Sequence, residues 1–178
     1  MDEIRILDKT FVKYIPHSRI MEAVERLAGQ VAEEMQDQPA VFMVVLKGGM
    51  VFAADFAKAY PGPMIMDYLR VKSYSGTEST GQVEMLIPPS EDIQGRPVYI
   101  LEDIVDTGNT LEFLVEELKK RGPASVKVVS LFFKPEAYRK SLPVDFVGME
   151  IPNKFIVGYG LDYNELGRNL KDVYQLKK

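Results

Sequence analysis

The sequence predicts an α/β fold, a mostly parallel twisted sheet flanked by helices. Two patterns carry that expectation. The uninterrupted apolar run Val41–Leu46 suits a strand buried on both faces of a parallel sheet, and the largely apolar stretches Val98–Leu101 and Val126–Phe133 read as further strands. Between and before them, apolar residues recur at helical spacing: Ile20, Val24, Leu27, Val31 and Met35, then Leu111, Leu114, Val115 and Leu118. Strand–helix alternation from Val41 to Phe133 requires crossover connections and so a parallel sheet.

The elements follow in order. Ile4–Leu7 and Phe11–Tyr14 are short strands or arms. Ser18 is placed as the N-cap of the first long helix. After the Val41–Leu46 strand, Lys47-Gly48-Gly49 interrupts the run, and Met50 to Tyr60 returns as helix until Pro61-Gly62-Pro63 ends it. Met64 to Val71 is the next strand. Ser73 to Gln82 has almost nothing to bury and reads as a mobile loop, with Val83–Ile87 as its return strand. Lys119-Lys120-Arg121 before Gly122-Pro123 ends the Leu111–Arg121 helix, with cations at the carboxyl end of its dipole. Val144–Val147 and Phe155–Val157 are the last strand candidates.

Bulk properties narrow the function. The 178 residues are 46% hydrophobic, so the chain is globular, in one domain. A net charge of −4 argues against a general nucleic-acid footprint. With no cysteine and one histidine, thiol chemistry and cysteine–histidine metal sites are excluded, and His17, in a turn beside Pro16, is taken as structural. No apolar run is long enough for a membrane span or signal peptide, which points to a cytoplasmic protein without a membrane partner.

The most informative segment runs from Val98 to Thr110. Four apolar residues end in Glu102-Asp103, and Asp106 then opens a Thr107-Gly108-Asn109-Thr110 loop before a helix. Consecutive N–H groups at a helix start, with the Thr107 and Thr110 hydroxyls, suit a phosphate. The carboxylates would repel that phosphate, so they must serve another part of the ligand: sugar hydroxyls, a hydrated Mg²⁺ or a proton. A phosphorylated sugar with a divalent metal satisfies both halves. The plain alternative is a solvated acidic turn before an ordinary helix cap.

Glu102 to Thr110 resembles the phosphoribosyl-diphosphate motif of the type I phosphoribosyltransferases, in the version of the hypoxanthine-guanine branch. Leu46-Lys47-Gly48-Gly49, Ser73-Tyr74 and the run Lys154 to Tyr163 match further family segments in the right order, so the resemblance spans Val41 to Arg168. It implies a core at about 38–140 and a small hood built from the N-terminal segment and about 141–178. It implies transfer of a phosphoribosyl group from 5-phosphoribosyl diphosphate to N9 of a 6-oxopurine, with Mg²⁺ as cofactor, in a homodimer or homotetramer. By the same resemblance, Thr107, Gly108, Asn109 and Thr110 cradle the 5-phosphate, while Glu102 and Asp103 hold ribose hydroxyls and metal-bound water. Asp106 exchanges a proton at purine N7. Lys47, Gly48, Arg168, Ser73 and Tyr74 contact pyrophosphate, the Leu46–Lys47 bond is often cis, and Ser73-Tyr74 closes over the site. Lys134 donates to the purine 6-oxo group, Phe155 stacks on the base, and Ile156 meets its edge. Asp162 binds Mg²⁺ and contributes to reading the base 2-position. Leu166-Gly167 departs from the aromatic segment often found before the family's arginine. Two other classes remain on sequence grounds: an RNA-binding pyrimidine-operon regulator of the same fold, and a catalytically inactive sugar-phosphate module.

Overall fold

The computed structural model describes residues 2–35, 39–73 and 83–177. The expected mobile loop Ser73–Gln82 lies, from 74 onward and with Tyr74 and its assigned contact, outside the described residues; Ser73 is the last residue of a strand.

Among the described residues, ten strands and three helices follow in chain order: β1 Glu3–Ile6, β2 Lys9–Ile15, α1 His17–Met35, β3 Ala40–Leu46, α2 Gly49–Ala59, β4 Met64–Ser73, β5 Val83–Ile87, β6 Pro97–Val105, α3 Asn109–Lys119, β7 Ser125–Phe133, β8 Phe146–Glu150, β9 Ile156–Val157 and β10 Val173–Leu176. Six strands form the large sheet in the order β5-β4-β3-β6-β7-β8. All its pairings are parallel except β4 with β5. The predicted fold class is therefore the observed one.

Side chains of β3 alternate across the sheet, as strand geometry dictates. Ala40, Phe42 and Val44 join α1 and α2 in one buried cluster, with Leu27, Val31, Phe52 and Phe56. Val41, Met43 and Val45 join α3 in another, with Leu111, Leu114 and Leu118. Helices thus cover both faces, which is why β3 is apolar throughout.

The two chain ends build the second sheet, β1-β2-β10-β9, entirely antiparallel. Its inner residues Ile15, Ile156 and Val173 belong to the same buried cluster as α1 and α2, so it is packed onto the core. β8 lies past residue 140 yet pairs with β7, so the large sheet continues to Glu150. Within the N-terminal segment, α1 packs on α2 and β8.

Three local expectations are corrected. Ser18 is not the cap of α1: the helix opens at His17, whose backbone N–H donates to Asp172 Oδ1 at 2.8 Å, and Asp172 is also paired with Lys13 at 2.8 Å. A distant carboxylate satisfies the end of the helix in place of a local hydroxyl. The Val144–Val147 strand is shifted to Phe146–Glu150, because Asp145 turns its carboxylate to accept the Val128 N–H at 2.8 Å. His17 begins a helix rather than lying in a turn, with its ring 5.9 Å from that of Tyr159.

One buried carboxylate lies outside the crevice. Asp67 accepts from the backbone N–H groups of Tyr68, Ser90 and Glu91 and from the Ser90 hydroxyl, at 2.7–2.9 Å. Burial raises its pKa, but those donors outweigh burial and hold it below the usual carboxylate value. A depressed folded pKa contributes stability above the unfolded value, and that stability is lost as pH falls through the folded value. Asp67→Asn should therefore cost about 1.5–3 kcal/mol at neutral pH. The difference should narrow below about pH 4. Urea unfolding of both proteins at pH 7 and pH 3 checks this; an equal loss at both would show that the charge is irrelevant.

Candidate functional site

The β6 strand carries its two carboxylates into the protein. Glu102 and Asp103 are 8% and 7% exposed, although they end an apolar run at the carboxyl edge of the sheet. Burial and the neighbouring Asp103 charge push the Glu102 carboxyl well above its usual range; burial also raises Asp103, opposed by its hydrogen bonds and by Arg168. Such a pair gains stability from any cation brought beside it. Gly48 closes the other side: a Cβ there would overlap the Asp103 carboxylate, so only glycine fits.

Beyond Asp103 the chain turns through Asp106 to Gly108, whose φ of +88° is the left-handed region that glycine adopts without strain. A side chain at 108 would also strike the Tyr138 ring. α3 starts immediately, with Glu112 N–H donating to Gly108 O at 2.9 Å. Residues 102, 104–108, 110 and 111 line a hollow of about 100 Å³, room for a small group at the helix N-terminus. The turn after β7 braces this loop: Lys134 N–H donates to Val105 O, and Arg139 N–H to Thr107 O.

That turn also delivers Lys134, 6% exposed, whose ammonium meets Asp106 Oδ2 at 3.0 Å. A donor and an acceptor thus stand side by side at the rim of the hollow, each occupied by the other.

Lys47 and Arg168 lie on the opposite side of the acidic pair. The Leu46–Lys47 peptide is cis. Lys47 Nζ donates to Glu165 Oε2 at 2.9 Å, and Arg168 Nη2 reaches the same oxygen at 3.2 Å. Arg168 also pairs with Asp162 at 2.7 Å and donates to Gly160 O at 2.8 Å.

Asp162 is committed to Arg168 and to the Glu165 N–H, at 2.8 Å. The described residues contain no cluster of three or more histidine, cysteine or acidic side chains able to hold a metal, so Asp162 does not join Glu102 and Asp103 in one. Phe155 is 44% exposed and its ring packs against Phe11 and Tyr163, leaving part of the ring open; Ile156 is buried in β9.

Sequence reasoning passed over Glu165 and the Arg139 brace to Thr107. Glu165 could have been flagged by Asn164, a residue that favours left-handed turns; the brace has no local signal.

A doubly covered parallel sheet, with acids at a strand end and an anion-sized hollow at a helix start, defines an α/β protein that binds phosphorylated ligands at its sheet edge. Comparison with known proteins makes this narrower. A family model described as a phosphoribosyl transferase domain matches residues 13–164. Hypoxanthine-guanine phosphoribosyltransferase of Bos taurus is 43% identical, over 94% of this chain and 80% of its own. The Homo sapiens protein of that name is 42% identical, over 90% and 78%. A crystal structure of the Bacillus anthracis hypoxanthine-guanine phosphoribosyltransferase superposes with a TM-score of 0.88 at 36% identity, covering 93% of this chain and 98% of that one. The chain belongs to the phosphoribosyltransferase family.

Proposed function

We infer that this protein is a pentosyltransferase of purine salvage. It moves the 5-phosphoribosyl group from phosphoribosyl diphosphate to N9 of hypoxanthine or guanine, giving IMP or GMP and pyrophosphate. The observation that carries the choice of base is the Lys134–Asp106 pair. An oxopurine presents an acceptor, O6, beside N7 on one edge. A buried donor 3.0 Å from a carboxylate mirrors an edge that offers O6 and an N7 proton.

In this reading the Gly108–Thr110 loop holds the 5-phosphate by its N–H groups and by the Thr107 and Thr110 hydroxyls. Glu102 and Asp103 hold the ribose hydroxyls. N9 bonds to C1 as the C1–O bond to pyrophosphate breaks and its electron pair leaves with the pyrophosphate. The N7 proton passes to the Asp106 carboxylate. Lys47 and Arg168 meet the charge that develops on the leaving group, where preorganised cations act most strongly. Phe155 covers one face of the base, with Ile156 at its edge.

The acidic pair fits a hard divalent cation, since burial and mutual repulsion leave it short of positive charge. Two adjacent carboxylates are too few ligands for Mg²⁺ by themselves, so substrate oxygens and water would complete the shell. Bound there, Mg²⁺ supplies positive charge to the leaving pyrophosphate. Asp162 is also proposed to bind Mg²⁺, which would have to compete with Arg168 for it.

We propose the whole chain as one functional domain, assembling as a homodimer or homotetramer. None of the described helices is long and apolar enough to cross a membrane; the cytoplasm is the proposed location. Incubation with phosphoribosyl diphosphate, Mg²⁺ and hypoxanthine, guanine or xanthine, with nucleotide and pyrophosphate both quantified, tests the function. No nucleotide from hypoxanthine or guanine would refute it.

A further inference from the structure

The two cations assigned to pyrophosphate share one carboxylate oxygen. Lys47 Nζ and Arg168 Nη2 lie 2.9 and 3.2 Å from Glu165 Oε2. Glu165 is an acid in a place where an anion is meant to bind, and the reaction as described gives it no task.

Its backbone is tightly held. Tyr163 and Leu166 exchange N–H···O bonds of 2.9 and 3.1 Å around a two-residue turn, and the Glu165 N–H donates to Asp162. Asn164 and Glu165 both have left-handed φ, 50° and 67°. Asparagine favours that backbone, but a glutamate there is a less common choice, and the turn fixes where its side chain leaves the chain. The carboxylate itself is free to leave, because the Glu165 side chain is 62% exposed and can rotate into water. Arg168 Nε is buried with no hydrogen-bond partner among the described residues, so the guanidinium keeps a donor in reserve.

We propose that Glu165 is a removable counter-anion: it occupies the place of a pyrophosphate oxygen between Lys47 and Arg168, yields to the incoming diphosphate, and returns to help expel pyrophosphate. This rests on the phosphoribosyl-transfer reading. The logic is competition. An empty site keeps its cations aligned and mutually screened, and every bound anion must first displace Glu165. The shared Glu165 carboxylate is exposed, so each pair is modest. The combined effect on pyrophosphate affinity should be about three- to tenfold.

The test compares wild type with Glu165→Gln, and with Glu165→Asn, since asparagine accepts the left-handed backbone. In both variants pyrophosphate with Mg²⁺ should inhibit nucleotide formation at three- to tenfold lower concentration, and the KM for phosphoribosyl diphosphate should fall. Steady-state kcat should fall while the single-turnover rate stays within twofold, and high salt should shrink the affinity gap. A residue that merely shaped the turn would instead weaken pyrophosphate when replaced. Unchanged or weakened inhibition in the variants, with an active wild type, overturns the proposal alone. A wild type that neither forms nucleotide nor binds pyrophosphate by calorimetry would overturn the underlying function as well.

Discussion

Asp106→Asn lowers turnover with hypoxanthine by about 10²–10⁴-fold, the range expected for loss of a positioned proton acceptor. The KM for phosphoribosyl diphosphate should stay within a few-fold. The separation follows from geometry. The hollow proposed for the 5-phosphate is built from backbone turned by Gly108 and braced from the Lys134–Arg139 turn, and neither support needs the Asp106 charge. An asparagine oxygen can still accept from the Lys134 ammonium, so the loop keeps its shape. If Asp106 has the proposed role, the variant lacks only a group able to take the N7 proton as N9 attacks. Steady-state kinetics with each substrate varied in turn gives both numbers. Turnover within tenfold of wild type would remove Asp106 from the proton path, and a large rise in KM with unchanged kcat would make it a binding residue only.

The parts of this site that were legible in the sequence are those in which one short stretch carries the whole signal. Val98 to Thr110 combines an apolar run, two acids, a third acid and a glycine turn, and the structure turns it into strand, loop and helix as written. Gly108 needs its left-handed φ for local reasons, so a local reading finds it. The rest depends on residues far apart in the chain. Asp172 takes the first N–H of α1 from 155 positions away, and no pattern around Ser18 reveals that a better partner exists. β10 has four residues and pairs with β2 and β9, which a local hydrophobic pattern cannot specify. Glu165 reads as one more surface acid until the cis turn at Lys47 and the Arg168 segment are folded beside it. The Lys134–Asp106 pair is intermediate: each residue was marked by its own strand end, but their 3.0 Å contact is a product of β6 and β7 being parallel neighbours.

That contact leads to the second large effect, the rejection of adenine. Adenine carries a 6-amino group where an oxopurine carries O6, so the Lys134 ammonium would face another donor. Lys134 is 6% exposed, and water cannot rescue an unpaired ammonium there. A site built around one buried polar partner rejects an analogue that cannot pair by about 10⁴-fold or more in kcat/KM. Leaving Lys134 on Asp106 does not solve the problem, because Asp106 would then be screened from N7 and the proton path would close. The wild type should therefore use adenine at least about 10⁴-fold less well than hypoxanthine. Lys134→Gln should narrow that ratio by tenfold or more, chiefly by losing hypoxanthine activity, since a glutamine amide can turn either its donor or its acceptor toward the base. Competition assays with both bases and phosphoribosyl diphosphate, run on wild type and variant, read the ratio directly. Comparable use of adenine and hypoxanthine by the wild type would refute the role of Lys134 and leave the site a phosphoribosyltransferase without an assigned base.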